Sequence, residues 1–331
     1  GSMQQSNCFP KSCRSRRYTI RVIAWFVAII FTVLPSSAQL WAQAPLSLQW
    51  YQVNTKNVLD NARNKIEPSL PATERDLARS ITYRVTAAPG IGAFAAYEGN
   101  QRVIVIHAGT IQAVDWMFDA AWMENELNLP GCFKEYANYY YQGLQTNQNR
   151  VDSRLAPLPV AAPLTFAQAQ GHKCAGATPQ RMMSSSGYGA RKAGAIEASI
   201  VFLYLHELGH HILRHTDGKR TDDPAGLAMS RNQEDAADRY AVGAALRAQY
   251  ALTAAMPWHS LMALVGGNSI EAEKKSSHPL GVSRVLSIYR QTEQYYRQNP
   301  QQWRNPSTYD AGMQELANAI GELEAEVNSL K

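Results

Sequence analysis

The spacing of apolar residues changes along the chain, and the change predicts helices on both sides of a small sheet. Between residues 45 and 80, apolar side chains recur at helical spacing around two prolines, which predicts two helices. Residues 81–85 alternate between polar and apolar, which predicts a strand. Residues 93–97 and 102–109 flank the turn sequence EGNQ and predict a hairpin, whose second strand is apolar enough to be buried on both faces.

The C-terminal half of the chain is dominated by helical spacing. Helices are predicted over residues 193–215 and 231–249 and in the stretches 274–298 and 309–330. Residues 115–193 are poorly patterned, with aromatic-rich, proline-rich and serine/glycine-rich segments, and we interpret them as an insertion. The pattern as a whole predicts an α+β fold that is mainly helical, with a small β-sheet.

Charge is distributed unevenly between the N-terminus and the rest of the chain. The formal net charge of the 331 residues is +5, and residues 1–43 contain five basic residues and no acidic one, so the remainder carries 5 − 5 = 0. This balance gives no support to a basic binding surface, and nucleic acid is not expected as a partner.

The N-terminal residues have the order of a secretory signal peptide. Gly1 and Ser2 resemble a tag remnant, the basic residues come next, and the 13-residue apolar run 22–34 is followed by small residues. A membrane span needs about 20 apolar residues, so cleavage of this segment is the first interpretation and an uncleaved anchor the alternative. We therefore expect residues 1–43 to be tag remnant and signal peptide, and expect membrane contact only if the segment stays uncleaved.

Four cysteines are present, and two of them precede the apolar segment. In an exported chain, the remaining pair, Cys132 and Cys174, predicts one disulfide bond within the insertion. The alternative is two separate buried thiols.

The sequence HELGHHILRH at residues 206–215 contains the strongest chemical signal. His206 and His210 are four residues apart and project from one face of a helix, whereas Glu207 is displaced by about 100°. Two histidines at this spacing bind zinc, and the glutamate between them reaches the attacking water as its base. His211 and His215 are off this face and are interpreted as a polar helix end, where histidine suits the helix dipole.

Zinc in a catalytic site takes three protein ligands, and the sequence EDAAD at 234–238 offers the third. Glu234 is the candidate ligand on the following helix. Asp238, one turn later, is placed to accept the second ring N–H of His206. The small residues Ala236 and Ala237 would allow the two helices to approach closely. Taken alone, EDAAD is also typical of an ordinary acidic helix start.

Three motifs in order resemble one known family. HELGH, EDAAD and HPLGVSRV (278–285) are similar to the H-E-x-x-H, E-x-x-A-D and H-P-x-x-x-x-R-[IV] signature of the HtpX and CAAX-prenyl-protease-like zinc metallopeptidases. Residues 92–111 resemble the strands of that family, with Gly92 in place of its usual Asn. The resemblance implies a zincin-like domain with one zinc ion per chain, and the soluble branch that acts in the bacterial periplasm or is secreted.

The resemblance also implies a domain organisation and a substrate. Residues 44–298 would form the zinc metallopeptidase domain, with the insertion at about 115–193, and residues 299–331 a C-terminal helical extension. The segment Ala93–Tyr97 would bind a polypeptide as an added strand, which suits extended or unfolded chains. The function expected is that of an exported zinc endopeptidase. One alternative is a latent or inactive binding module, chaperone-like in character, which holds a metal but whose insertion covers the cleft. The other is a structural domain without metal.

The third motif offers two further site residues. His278 is interpreted as a donor to the negative charge that develops on the substrate oxygen, with capping of the next helix as the alternative. Arg284 is expected to support the site by pairing with Glu234 or Asp238.

Overall fold

The computed structural model describes residues 46–170, 173–265 and 269–330. The predicted tag remnant and signal peptide lie outside these residues. Within the described ranges, no helix is both long and apolar enough to cross a membrane.

The first part of the described chain contains two helices and all three strands of the sheet. In chain order these elements are α1 (Leu48–Ile66), α2 (Ala72–Ser80), β1 (Thr82–Thr86), β2 (Ala93–Glu98) and β3 (Gln101–His107). Helical elements make up the rest: α3 (Ala108–Asn125), α4 (Cys132–Asp152), α5 (Pro163–Gln170), α6 (Pro179–Ser184), α7 (Tyr188–Ile212), α8 (Pro224–Arg247), α9 (Met256–Val265), α10 (Ile270–Lys274), α11 (Gly281–Gln298) and α12 (Tyr309–Ser329). The expected mainly helical α+β fold is confirmed.

The sheet has the order β1-β3-β2, so β2 is an edge strand. β3 pairs in parallel with β1 and antiparallel with β2, and its residues Val103–Ile106 are buried. The predicted hairpin is confirmed, and Gly99 supplies the positive φ of 60° in its tight turn.

The segment 115–193 is more regular than its sequence pattern indicated. Residue 115 lies within α3, which is buried on most sides and therefore lacks the polar stripe that identifies a surface helix. The serine/glycine-rich part is partly helical, because α7 begins at Tyr188. Gly187, at φ 80°, is the N-cap of that helix and supplies a left-handed backbone at the turn.

The predicted disulfide is confirmed. The two sulfur atoms of Cys132 and Cys174 are 2.17 Å apart, and the bond joins the start of α4 to the loop between α5 and α6. The bond closes a sequence separation of 42 residues, for which the loop-entropy model gives a stabilisation of about 4 kcal/mol.

Helix α7 is the centre of the core. It is buried almost throughout and packs against α1, α3 and α8 and against the sheet. α11 packs against α8 and α9, and α12 covers α11. This arrangement places the end of α7, the first half of α8 and the start of α11 next to the edge strand β2.

Candidate metal centre

Three side-chain donors converge where α7 meets α8. His206 Nε2 is 3.2 Å from His210 Nε2, and the Glu234 carboxylate lies 3.2 Å from the first and 3.4 Å from the second. All three residues are buried, and one donor atom from each lies within 4.8 Å of the others. Among the described residues this is the group of histidine, cysteine and acidic side chains that could hold a metal ion.

The close approach of two helices brings the third donor to the first two. His206 and His210 are one turn apart on α7, and Gly209 faces α8 between them. A β-carbon on Gly209 would lie 3.4 Å from the Ala237 Cα and 3.0 Å from a ring carbon of Tyr240. Because Gly209 and Ala237 are both small, the helix axes come close enough for Glu234 to reach both imidazoles.

The chemistry of this donor set fits zinc. His206 Nδ1 lies 2.8 Å from Asp238 Oδ1, and since the carboxylate can only accept, Nδ1 carries a proton, so that Nε2 is the nitrogen that can offer its lone pair to a bound metal ion. Two imidazole nitrogens and one carboxylate oxygen are the ligands of many catalytic zinc sites. Without a cation, burial lowers the pKa of His206, but Asp238 and Glu234 outweigh it and raise that pKa to about 10. The site therefore favours positive charge at the place where the donors meet.

Asp238 is held by an arginine on α11. Arg284 donates from Nε and Nη2 to the two oxygens of Asp238 at 2.7 and 2.8 Å, and its Nη2 lies 3.7 Å from Glu234. Burial opposes ionisation of Asp238, but the Arg284 charge and hydrogen bonds, with those of His206, lower its pKa to about 2. The carboxylate is thus fixed as an ionised acceptor for His206.

Glu207 is buried beside the donor group without belonging to it. The backbone N–H of Ala95 in β2 lies near its carboxylate and lowers its pKa. Burial raises the pKa of Glu207, and the nearby imidazoles of His206 and His210 lower it in part. A carboxylate of raised pKa next to a metal-ligand group is suited to take and return a proton.

A cleft of about 830 Å³ opens over the donor group. The edge strand β2 forms one wall, and an apolar wall comes from Trp258, Met262 and Val265 on α9. The cleft is long enough to follow the strand, since residues 92–97 all line it.

Along the open edge of β2, every second residue points its backbone N–H and C=O away from β3. His107 N–H donates to Gly92 O, and hydrogen-bonded and non-hydrogen-bonded pairs alternate along an antiparallel ladder. Ala93, Ala95 and Tyr97 therefore point their backbone groups away from β3, and the Ala95 N–H is near Glu207.

His278 lies at the mouth of the cleft, and 52% of its side chain is exposed. Its Nε2 is 3.8 Å from Glu234, and its Nδ1 is 2.9 Å from the Ser277 hydroxyl. Helix α11 begins after Leu280 and has no side-chain cap, so the capping alternative for His278 is wrong.

The other two histidines of HELGHHILRH are not a solvated helix end. His211 is buried, and its Nε2–H donates to the Val103 carbonyl of β3 at 3.0 Å. This bond attaches the end of α7 to the sheet and thereby brings the β2 edge to the donor group. His215 lies beyond the helix, where it turns back so that its Nδ1 is 3.1 Å from His210 Nδ1.

Gly92, which stands where the resembling family usually has Asn, is favoured by its neighbour His107. A β-carbon on Gly92 would lie 2.9 Å from Nδ1 of His107. The histidine ring occupies the space that a side chain at position 92 would need, so a larger residue there requires His107 to move.

Part of the chain matches a known protein family. The model of peptidase family M48 matches residues 218–292, a segment that begins after α7 and contains Glu234, Asp238, His278 and Arg284. No curated protein and no solved structure shows a significant similarity to the chain.

Proposed function

We propose that this chain, whose residues 218–292 match peptidase family M48, is an exported zinc endopeptidase that cleaves extended or unfolded polypeptides. The position of Glu207 carries the proposal. Glu207 lines the same cleft as the donor group of His206, His210 and Glu234 and the open edge strand β2. A base in this position meets both a metal-activated water and a peptide lying along the strand.

Each residue of the site has a separate role in the proposed reaction. Zinc, held by His206, His210 and Glu234, would supply Lewis-acid activation of water and of the substrate carbonyl. Glu207 accepts the proton of the attacking water and delivers it to the leaving amine, for which its raised pKa is suited. His278, at the cleft mouth, donates to the oxygen that gains negative charge.

The substrate is proposed to add to the sheet beside β2. The outward backbone groups of Ala93 and Tyr97 can pair with a peptide, and five residues of strand span roughly 17 Å. The apolar wall around Trp258 gives space for a hydrophobic side chain next to the scissile bond. Main-chain pairing selects for an extended backbone rather than for a sequence, which supports unfolded polypeptides as substrates.

Export is supported by the disulfide bond between Cys132 and Cys174, because such bonds persist in oxidising compartments. The signal-like N-terminal sequence supports the same conclusion. Together they favour a periplasmic or secreted enzyme.

The test of the base is Glu207→Gln. Zinc content should stay at one ion per chain, because Glu207 is not a donor in the ligand group, and casein cleavage should fall by roughly 10²–10⁴-fold. The control is Glu234→Gln, which should lose zinc together with activity. Substantial cleavage by Glu207→Gln would remove Glu207 from the mechanism.

The test of strand addition uses substrate peptides that carry one N-methyl group at successive backbone positions. A methyl group on an N–H that pairs with β2 should lower kcat/KM about 10-fold, since a hydrogen bond of about 1–1.5 kcal/mol is lost. The next position along should be tolerated, because its N–H points away from the strand. Equal losses at every position would contradict strand addition.

A further inference from the structure

His215 contacts the metal-ligand group, although helical periodicity predicts that it lies on the opposite side of the helix. Its Nδ1 lies 3.1 Å from Nδ1 of His210, on the side of that ring opposite the nitrogen that faces His206 and Glu234. His206 has the same type of partner in Asp238, also at its Nδ1. Both ring ligands are therefore contacted at the nitrogen that does not face the donor group.

The backbone fixes His215 in this place. After α7 ends, His215 N–H donates to the His210 carbonyl and Arg214 N–H donates to the His211 carbonyl, which is the Schellman pattern of helix termination. Arg214 takes the left-handed conformation at φ 60°, where glycine is usual. The Tyr97 hydroxyl, on the edge strand, donates to Asp217 and fastens the following residues to the wall of the cleft.

Proton positions follow from the roles of the two rings. If His210 presents the Nε2 lone pair to a metal, its Nδ1 must carry the proton and donate it. His215 Nδ1 must then be the acceptor, with the proton of that ring on Nε2. The contact is therefore a directed hydrogen bond, not a pair of rings that happen to touch.

We propose that His215 is a positioning residue for the metal centre: its Nδ1 accepts the hydrogen bond of His210 and holds that ring with Nε2 turned toward His206 and Glu234. Outer partners of zinc-bound histidines set ring orientation, and their loss lowers metal affinity 10–100-fold. In this centre one ligand histidine is held by a charged acceptor and the other by a neutral one.

The proposal rests on the zinc centre of the proposed function, but its test needs no catalysis. Zinc dissociation constants are measured on the full chain by competition with a chromophoric chelator, for wild type, His215→Ala, His215→Asn and His215→Leu. Asn places an oxygen where the histidine has Nδ1 and can accept the bond, whereas Leu has nearly the same size and cannot. Asp217→Asn, which changes the same segment away from His210, is the matched control.

His215→Ala and His215→Leu should raise the zinc dissociation constant 10–100-fold, and His215→Asn and Asp217→Asn should stay within about 3-fold of wild type. If His215→Ala does not fold, the Asn and Leu variants decide the question by the same criterion. Equal affinities for Asn and Leu, whether both weakened or both unchanged, would overturn the proposal. A wild type that binds zinc without cleaving casein would contradict the proposed function and leave this inference standing.

Discussion

Replacing Arg284 with Met tests whether the network behind the ligands is as tightly coupled as its geometry indicates. Met keeps most of the length of the arginine side chain and removes the charge and both hydrogen bonds to Asp238. In the metal-free protein, Arg284 and a protonated His206, whose pKa is about 10, balance the charges of Glu234 and Asp238. The substitution leaves a net negative charge in a buried group.

The size of the expected loss in unfolding free energy follows from the burial of the two side chains. The Asp238 side chain is 1% exposed and that of Arg284 10%, so water cannot replace the lost partner. Removing one member of such a pair costs about 3–5 kcal/mol, because the remaining charge stays buried and unpaired. Arg284→Lys keeps the charge but cannot form both bonds of the planar guanidinium, so its unfolding free energy should lie between those of wild type and Arg284→Met.

The assay is urea unfolding of the metal-free protein at neutral pH, followed by circular dichroism. The matched control is Arg290→Met on the same helix, where the arginine is 56% exposed and pairs with Glu324 at 2.6 Å. An exposed pair contributes about 0–1 kcal/mol, so this variant should unfold almost as wild type does. Equal losses for the two variants, or a loss below about 1 kcal/mol for Arg284→Met, would refute the argument.

Two further predictions concern His278 and the buried cluster around Lys192. His278→Ala should lower kcat by roughly 10²–10³-fold with zinc content unchanged, and a normal kcat would end its role as a donor. Burial beside Asp115 raises the pKa of Asp119 to about 6, above its ordinary value near 4. Between these two values the folded chain holds a proton that the unfolded chain has lost, so the free energy of unfolding should fall as the pH rises from about 4 to 6. Asp119→Asn should flatten this part of the stability profile in urea unfolding, whereas a profile parallel to that of wild type would contradict the shift.

Sequence spacing predicted the parts of the site that lie within regular helices. His206 and His210 share a face because α7 is a continuous helix through both residues, and Glu234 and Asp238 share one on α8 for the same reason. The close approach of the two helices was also predicted, from the small residues Ala236 and Ala237, and the structure adds Gly209 as the small residue opposite Ala237. The strands were identified by alternation and by the β-branched residues of β3.

The sequence pattern failed where burial is uniform. α3 has few polar positions because α1, α4, α7 and α9 surround it, and a helix that is apolar on nearly every side gives no periodic signal. Its buried Asp115 and Asp119 could have been noticed as charges in an apolar stretch, but their partner Lys192 lies far away in the sequence. Only the packing of α3 against α7 brings the three together.

His215 shows a different limit of sequence reasoning. An ideal helix extended through residue 215 places it about 180° from His206, on the wrong side for any role at the metal. The helix instead ends at Ile212, and the usual signal for such an end, a glycine at the left-handed position, is absent because Arg214 occupies it. The backbone at Arg214 is held in a conformation that costs a non-glycine residue roughly 1–3 kcal/mol. The hydrogen bonds of the Schellman turn and the contact between His210 and His215 offset that cost, so the unusual residue at the turn and the position of His215 have one physical cause.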